Sequence, residues 1–255
     1  MTAILETHAV RKQFGALVAV DDVSIDIEAG SLHSIIGPNG AGKTTLFNVV
    51  SGTLQPTSGR VIFKGDDITD LPMHRTIHRG IGRSFQITNI FPNLTVFENV
   101  RLAAQAMGGD SLRILRSHRR YRSYIERADS VLEQVGLTAR AALSARTLPH
   151  GDQRKLELGM ILAPDPEVLM LDEPTAGMAA EQVPELLALI QSIQAGGAKT
   201  VVLVEHNMSV VMRVSDRITV MHQGRVLAEG TPAEISANKE VQTAYLGSLY
   251  DEETA

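Results

Sequence analysis

The chain of 255 residues contains no cysteine, and aromatic residues make up only 4% of it. Without cysteine it forms no disulfide, no thiolate metal site and no cysteine nucleophile, and its redox compartment stays undecided. Long apolar runs are missing too: none approaches the about 18 residues of a membrane-spanning helix, and the longest, such as 201–204, have the length of a strand. The N-terminus lacks a basic segment ahead of an apolar stretch, so we expect neither a membrane span nor a secretory signal.

An excess of positive charge is also absent, because 24 Lys and Arg face 29 Asp and Glu for a formal net charge of −5. Proteins that bind nucleic acid generally carry a basic footprint, so we expect no nucleic-acid partner. The hydrophobic fraction of 44% and the charged fraction of 21% are ordinary for a globular protein and exclude disorder for most of the chain. The length suits one large domain or two small ones.

Short apolar runs alternate with a helical pattern, which predicts an α/β protein. We expect strands at 23–28, 32–36, 60–63, 168–171 and 200–204. A helical pattern at 181–194 separates the last two, and this alternation indicates a parallel sheet covered on both faces. From 95 to 143 the chain shows only helical periodicity, which indicates a helical insertion within one folded unit. The apolar positions of one such helix are Ile125, Ala128, Val131, Leu132 and Val135.

A glycine-rich stretch after the strand 32–36 matches the phosphate-loop pattern G-x-x-x-x-G-K-[ST]. It reads Gly37-Pro38-Asn39-Gly40-Ala41-Gly42-Lys43-Thr44-Thr45. Glycines let backbone N–H groups turn inward around a phosphate, and the helix that follows directs its positive end at the same group. Lys43 would neutralise phosphate oxygens and Thr44 would ligate Mg²⁺. The stretch therefore predicts nucleotide binding.

A second candidate segment is the apolar strand that ends in Asp172 and is followed by Glu173. Beside a phosphate loop, Asp172 would lie near the magnesium ion and Glu173 would act as general base for the attacking water. Taken alone, the same residues would indicate only a solvated acidic turn at a strand end.

Together with Pro174-Thr175, which complete Asp-Glu-Pro-Thr, these segments resemble the ATP-binding subunits of ABC transporters over nearly the whole chain. The resemblance implies an α/β P-loop NTPase fold with a parallel-sheet core, an N-terminal antiparallel β subdomain and an inserted helical subdomain. A single ABC ATPase domain would span 1–255, with the core in 1–94 and 164–255 and the helical subdomain in 95–163. ATP and Mg²⁺ are the implied ligands.

The resemblance also assigns roles to residues outside the two motifs. It implies that Phe14 stacks on adenine with Val18 among the nucleotide contacts. Gln86, which lies 43 residues after Lys43, would sense the γ-phosphate and join Thr44 and Asp172 around Mg²⁺. His206 would bond the γ-phosphate and orient water with Glu173. Taken alone, Phe14 would more often be a core residue, Gln86 a surface residue and His206 a strand-end histidine.

The signature segment of the family corresponds to residues that would contact the ATP held by an opposing subunit. These are Leu148, Pro149, His150, Gly151 and Asp152. Pro149 replaces the family's serine, and Ala179 stands where the family usually has an aspartate. Both changes affect the site that this segment completes over the partner's ATP. We therefore expect the two sites of a heterodimer to hydrolyse ATP at different rates.

Three stretches look closest to the branched-chain amino-acid importers, namely 14–24, then 82–86 followed by Phe91 and 94–100, and finally 224–232 with 244–247. The resemblance is to the longer ATPase subunit, which implies a second ATPase subunit, two membrane-spanning permeases and, indirectly, a substrate-binding protein. It further implies a peripheral protein at the cytoplasmic face of the inner membrane that is soluble when isolated. Alternatives are a urea or amide importer, a non-transport ABC ATPase acting on ribosomes or DNA, and a weakly hydrolysing regulatory subunit.

Two further stretches have open interpretations. The apolar residues in 87–97 either form a groove for a permease's cytoplasmic helix or pack the helical subdomain. A basic helical stretch is either a solvated face or a contact with anionic lipid. Its arginines are Arg113, Arg116, Arg119, Arg120, Arg122 and Arg127.

Overall fold

Three adjacent strands are buried along their whole length and form the centre of the protein. The computed structural model describes residues 2–84, 90–108 and 118–252, without the side chains of 118–121 and 246–252. The buried strands are β3 Leu32–Ile36, β7 Val168–Asp172 and β8 Thr200–Val204. β8 lies between the other two and pairs with both in parallel. Continuous apolar strands are typical of a parallel sheet that is covered on both faces, so this prediction is confirmed.

Three more strands extend this sheet to six, in the order β10-β9-β3-β8-β7-β6. They are β6 Ile81–Arg83, β9 Arg217–His222 and β10 Arg225–Gly230. β6 and β9 are parallel to their neighbours, whereas β10 runs antiparallel to β9 at the edge. The turn between β9 and β10 consists of Gln223 and Gly224, both with positive φ, which is the backbone of a tight hairpin turn.

The N-terminal part of the chain forms a separate antiparallel sheet of four strands in the order β2-β1-β4-β5. Its strands are β1 Ala3–Phe14, β2 Leu17–Glu28, β4 Ser58–Phe63 and β5 Asp66–Asp67. In β2 the buried residues Val23, Ile25 and Ile27 alternate with exposed ones, as predicted. Their inner face shares a core with helix α1 Lys43–Val50, whose Phe47 is fully buried, and with the central sheet. α1 therefore lies between the two sheets.

The remaining helices are α2 Met73–Arg79, α3 Val96–Ala106, α4 His118–Gln134, α5 His150–Leu162, α6 Val183–Ala195, α7 Met208–Val214, α8 Pro232–Ala237 and α9 Lys239–Glu252. Of these helices, α3, α4 and α5 lie between β6 and β7 in the sequence. α3, α4 and α5 pack on one another around Val100, Val131 and Leu156, each fully buried. Within the described parts of 95–163 there is no named strand, and the subdomain limits at 95 and 163 stay a prediction. None of the helices in the described residues is long and apolar enough to cross a membrane.

Two sequence expectations need correction. Ile125 does not join the buried stripe of α4, because its side chain is 41% exposed while Ala128 and Val131 are fully buried. In that turn of α4 it is the preceding residue, Tyr124, that packs against the core. The helix expected at 181–194 begins at Val183, since Pro184 occupies its first turn, where a missing N–H costs no helical hydrogen bond.

The side chain of Asn99 fixes the segment that leads into α3, and its replacement should destabilise the protein. Asn99 is fully buried. Its amide oxygen accepts from Phe91 N–H at 2.7 Å, and its NH₂ donates to the carbonyls of Phe91 and Thr95. We expect Asn99→Ala to lower the free energy of unfolding by about 2–4 kcal/mol, because three hydrogen bonds are lost and a fully buried side chain is truncated. Urea denaturation measures this change.

Gln134→Ala, at the exposed end of α4, is the matched control and should change the free energy of unfolding by less than about 0.5 kcal/mol. Equal effects of the two substitutions would contradict the role assigned to Asn99.

Candidate nucleotide site

The loop between β3 and α1 can be built only with glycine at two of its positions. Gly37 and Gly42 have φ values of +152° and +97°. A Cβ at Gly37 would lie 2.2 Å from the carbonyl oxygen of Met221, and one at Gly42 would lie 2.3 Å from that of Ala19. The backbones of β9 and β2 therefore lie so close to the loop that a side chain fits at neither position.

Lys43 begins α1 and folds back over this loop. Its Nζ donates to the carbonyl oxygens of Gly37 at 2.6 Å and Pro38 at 3.0 Å, and the residue is only 7% exposed. Burial lowers the pKa of Lys43, and the negative charges of Glu173 and Asp172 oppose that shift. A cation at the N-terminus of a helix, above a glycine loop, is an arrangement suited to phosphate.

Asp172 ends β7 as a buried carboxylate without hydrogen-bond partners for either oxygen among the described residues. Its backbone N–H donates to the hydroxyl of Ser84 at 2.8 Å. Burial raises the pKa of Asp172 to about 6, the charge of Glu173 adds to the shift, and Arg83 and Lys43 oppose it. A buried carboxylate with both oxygens unused fits a divalent cation. Mg²⁺ in particular takes one or two carboxylates together with substrate phosphates.

Glu173 and His206 come together because their strands are neighbours. Glu173 follows β7 with a left-handed backbone, φ +47°, and its N–H donates to the carbonyl of Val204 at the end of β8 at 2.9 Å. His206 lies two residues beyond that strand, and its Nδ1 is 3.7 Å from Glu173 Oε1. Both side chains reach solvent, so the pair is open to a ligand or water.

Phe14 lies at the turn of the β1–β2 hairpin and is 45% exposed. It is therefore a surface aromatic ring and not a core residue. The hairpin is attached to the phosphate loop, because Asp21 N–H donates to the carbonyl of Gly224, whose own N–H donates to the carbonyl of Ala41. Val18 belongs to the same hairpin, paired with Gln13. An exposed ring on a strand that contacts the loop can stack on a base.

The segment Leu148–Asp152 forms the start of α5. Leu148 is buried and anchors the segment, whereas Pro149 and His150 are exposed. Pro149 is the N-cap, with φ −55° and ψ 154°, so a proline is accommodated there. Asp152 forms ion pairs with Arg140 and Lys155, which orient the first turn of the helix.

Gly151, in the same turn, is buried against α6. A Cβ at this position would lie 3.0 Å from the carboxamide oxygen of Gln182, the residue that precedes that helix. Among the residues expected to contact a partner's nucleotide, Pro149 and His150 are thus exposed, whereas Leu148 and Gly151 are buried. We refer to Pro149 and His150 as the tip of α5.

The structure therefore brings the phosphate loop, Lys43, Asp172, Glu173 and His206 to one end of the central sheet. Gln86 lies outside the described residues. Glu205 was missed by sequence reasoning, although a charged residue directly after an apolar strand and before His206 is a visible signal. Arg83 was missed as well, and it donates to Asn48, Ser51 and Thr53 from a half-buried position at the end of β6.

Comparison with protein families gives two matches. Residues 20–176 match the family described as ABC transporter. Residues 225–250 match the family described as branched-chain amino acid ATP-binding cassette transporter. The second match covers β10, α8 and most of α9. This part of the chain includes 225–232 and 244–247, which resemble the branched-chain amino-acid importers, but none of the nucleotide-site residues described above.

Individual relatives extend over nearly the whole chain. The high-affinity branched-chain amino acid transport ATP-binding protein BraF of Pseudomonas aeruginosa is 40% identical, over 96% of this chain and 98% of that protein. Its counterpart LivG of Escherichia coli K12 is 39% identical with the same coverage. Among solved structures, an ATP-binding cassette of an ABC transporter in its ADP conformation is 30% identical with a TM-score of 0.83, over 97% of this chain and 100% of that one. A dimeric cassette bound to ADP and phosphate is 27% identical with a TM-score of 0.75, over 89% and 98%.

The buried carboxylate of Asp172 should lower the stability of the protein when neither nucleotide nor divalent cation is bound. An unfolded carboxyl has an ordinary pKa of 3.8 while the folded one titrates at about 6. The folded state binds more protons between these values, so stability falls as pH rises through this window. We expect Asp172→Asn to raise the free energy of unfolding by about 1–3 kcal/mol at about pH 7.5 without nucleotide or divalent cation, and by progressively less towards about pH 4.

Urea denaturation in EDTA at several pH values measures this difference. Asp70→Asn, at an exposed position, is the control and should leave stability unchanged across the range. A stabilisation that does not depend on pH would contradict the assigned cause.

Proposed function

Because this chain belongs to the ABC transporter family of ATP-binding proteins, we propose that it is the ATP-hydrolysing motor subunit of an importer for branched-chain amino acids. One observation carries the enzymatic part: a glycine loop with Lys43, the buried Asp172 and the pair Glu173–His206 all lie at the ends of three adjacent parallel strands. Among the described residues, neither oxygen of Asp172 has a hydrogen-bond partner. Such an arrangement holds a phosphate chain, a divalent cation and a water molecule within reach of one another.

Each side chain then has a role in holding the substrate. Residues 37–45 bind the phosphates of ATP through backbone N–H groups and Lys43, while Phe14 stacks on adenine beside Val18. Thr44, Gln86 and Asp172 would hold Mg²⁺, which, when bound, neutralises charge on the β- and γ-phosphate oxygens. Removal of the Lys43 amine would leave the phosphates without their protein cation.

The hydrolytic step uses the pair at the ends of β7 and β8. Glu173 accepts a proton from water as the water oxygen attacks the γ-phosphorus and the bond to the β,γ-bridging oxygen breaks, which yields ADP and phosphate. His206 hydrogen-bonds the γ-phosphate and limits the rotation of Glu173. Both side chains reach solvent, so a water molecule can approach the Glu173 carboxylate.

ATP-binding cassettes of this family work as dimers with membrane permeases. We propose a heterodimer with a shorter ATPase subunit, in which the exposed tip of α5 meets the partner's ATP. Pro149 has no hydroxyl for that phosphate, and exposed Ala179 has no carboxylate for a contact across the dimer. The site completed by this chain's α5 is therefore the weaker of the two.

A cavity of about 320 Å³ between α2, β6, α3 and α5 is the proposed permease site. Its apolar lining comes from Ile77, Ala103, Ala106, Met107, Met160 and Ile161. Ser84 also lines it and accepts the N–H of Asp172, so a helix seated here would be one side chain away from the nucleotide site.

The segment 87–97 contributes less to a groove than its sequence indicates. Val96 is fully buried, and Ile90 and Phe97 pack against the same core. Ile87 lies outside the described residues. Phe91 is 51% exposed, so its ring remains available to a permease.

The substrate and the location follow from the relatives. BraF and LivG are named for high-affinity branched-chain amino acid transport, which supports that substrate class and an indirect partnership with a substrate-binding protein. We place the chain as a peripheral subunit at the cytoplasmic face of the inner membrane. In the basic stretch, Arg122 pairs with Glu126 and Arg127 with Asp165, which supports a solvated face. Arg113 and Arg116 lie outside the described residues, as do the side chains of Arg119 and Arg120.

Removal of the proposed general base should separate binding from hydrolysis. We expect Glu173→Gln to lower the kcat for ATP hydrolysis by at least about 100-fold while the affinity for ATP stays within about threefold of the wild-type value. Phosphate release and fluorescent-nucleotide titration of the full-length chain measure the two quantities. Lys43→Ala, in contrast, should lose affinity. Wild-type hydrolysis by Glu173→Gln would overturn the catalytic assignment.

A charge in the cavity should detach the subunit from the membrane complex. Ala106 is exposed and lines the cavity, so Ala106→Glu places a carboxylate there without disturbing the core. Capture of the tagged wild-type chain from gently solubilised native membranes should yield two multi-span permeases and a second ATPase. We expect Ala106→Glu to reduce that yield at least about tenfold with unchanged ATP affinity.

Ile125→Glu, an exposed apolar position elsewhere, should capture the same partners as wild type and serves as the control. Phe91→Asp tests the exposed ring of Phe91 in the same way. Capture of ribosomes, DNA or no membrane protein by the wild-type chain would exclude the transport function and leave the ATPase.

A further inference from the structure

A fully buried carboxylate, Glu205, lies between β8 and His206. Its Oε1 accepts two hydrogen bonds from one residue, the Thr175 N–H at 3.2 Å and the Thr175 hydroxyl at 2.6 Å. Its Oε2 has no hydrogen-bond partner in the part of the chain that the structure describes. Burial of a carboxylate with half of its acceptors unused opposes folding, so stability alone does not account for a glutamate at this position.

The residue that Glu205 binds belongs to the turn that carries Glu173. The backbone of Glu173 is left-handed, a conformation that a residue with a Cβ adopts only when its surroundings hold it there. Two consecutive residues at the end of β8 provide that support. The Val204 carbonyl accepts the N–H of Glu173 at 2.9 Å, and Glu205 binds Thr175 two residues further on.

The same strand end continues directly into His206. The contact between Thr175 and Glu205 therefore links the turn with Glu173 to the segment with His206, through two hydrogen bonds to one oxygen. A third bond steadies the turn from the helical side, since Arg154 on α5 donates to the carbonyl of Ala176 at 3.1 Å. A shift of either segment would change the separation of 3.7 Å between Glu173 Oε1 and His206 Nδ1.

We propose that Glu205 is a positioning residue for ATP hydrolysis, which holds Thr175 and thereby keeps the Glu173 carboxylate in place beside His206. The inference rests on the proposed function, because it assumes that Glu173 and His206 act on the γ-phosphate and its water. Glu205 itself is fully buried and is not assigned a contact with the γ-phosphate or the attacking water. Its effect belongs to the chemical step, and the phosphate loop that sets ATP affinity is independent of it.

Substitutions of the two partners test this role on the full-length chain. Glu205→Ala should lower kcat by about 10- to 100-fold, the effect of a small misplacement of reacting groups, with KM for ATP within about threefold of wild type. Glu205→Gln retains an acceptor oxygen and should restore most of kcat. Thr175→Val removes the hydroxyl with little change of shape and should also lower kcat. The double variant with Glu205→Ala should be no worse than the single alanine variant, because both remove one contact.

Urea denaturation confirms that each variant is folded at the assay temperature, and Glu240→Ala, at an exposed position on α9, is the control for a lost surface carboxylate. Wild-type kcat in folded Glu205→Ala would overturn the proposal and leave the ATPase assignment intact. A glutamine variant as slow as the alanine variant would also overturn it, since charge and not the acceptor would then matter. If Glu173→Gln hydrolyses ATP as fast as wild type, the catalytic assignment and the positioning role both fail.

Discussion

The parallel pairing of β3, β8 and β7 is the constraint on which the rest of the structure depends. Parallel strands that lie side by side end at the same edge of the sheet. Here that edge receives the phosphate loop after β3, Asp172 at the end of β7, and Glu205 and His206 after β8. Residues that are distant along the chain thus meet without any long loop. The burial of all three strands also sets their register firmly, because a shift by one residue would move every side chain to the other face.

Negative charge exceeds positive charge among the side chains at this edge. Asp172, Glu173 and Glu205 face Lys43 and Arg83, and the pKa of Asp172 responds to all four. Lys43 donates to two carbonyl oxygens of its own loop, and the carboxylate of Asp172 has no hydrogen-bond partner among the described residues. A divalent cation that arrives with a nucleotide supplies positive charge to Asp172 while the phosphates attract Lys43. The same feature that lowers the stability of the empty protein therefore favours the loaded one.

Much of this arrangement could be predicted from the sequence, because it depends on local patterns. The continuous apolar runs of β3 and β8 gave the strand bounds correctly, and the glycine-lysine pattern located the loop that Met221 and Ala19 enclose. Contacts between residues that are far apart in the sequence could not be predicted from such local patterns. The bond from Thr175 to Glu205 and that from Asp172 to Ser84 depend on strand order. The exposure of Ile125 could not be read from the apolar pattern either, because that pattern groups it with the buried Ala128 and Val131.

Two hydrogen bonds connect the nucleotide edge to the parts of the chain that would meet other subunits. Ser84 joins Asp172 to the cavity beside β6, and Arg154 joins the turn after Glu173 to α5, the helix whose tip carries Pro149. Glu205 holds the same turn from the side of His206. Because the interior is densely packed, a displacement at one of these contacts is transmitted and not absorbed. On the proposed function, loss of the γ-phosphate would act on this one turn, and through it on both the cavity and the α5 tip. Nucleotide hydrolysis and subunit motion are then coupled through the positions of the Asp172 N–H and the Ala176 carbonyl.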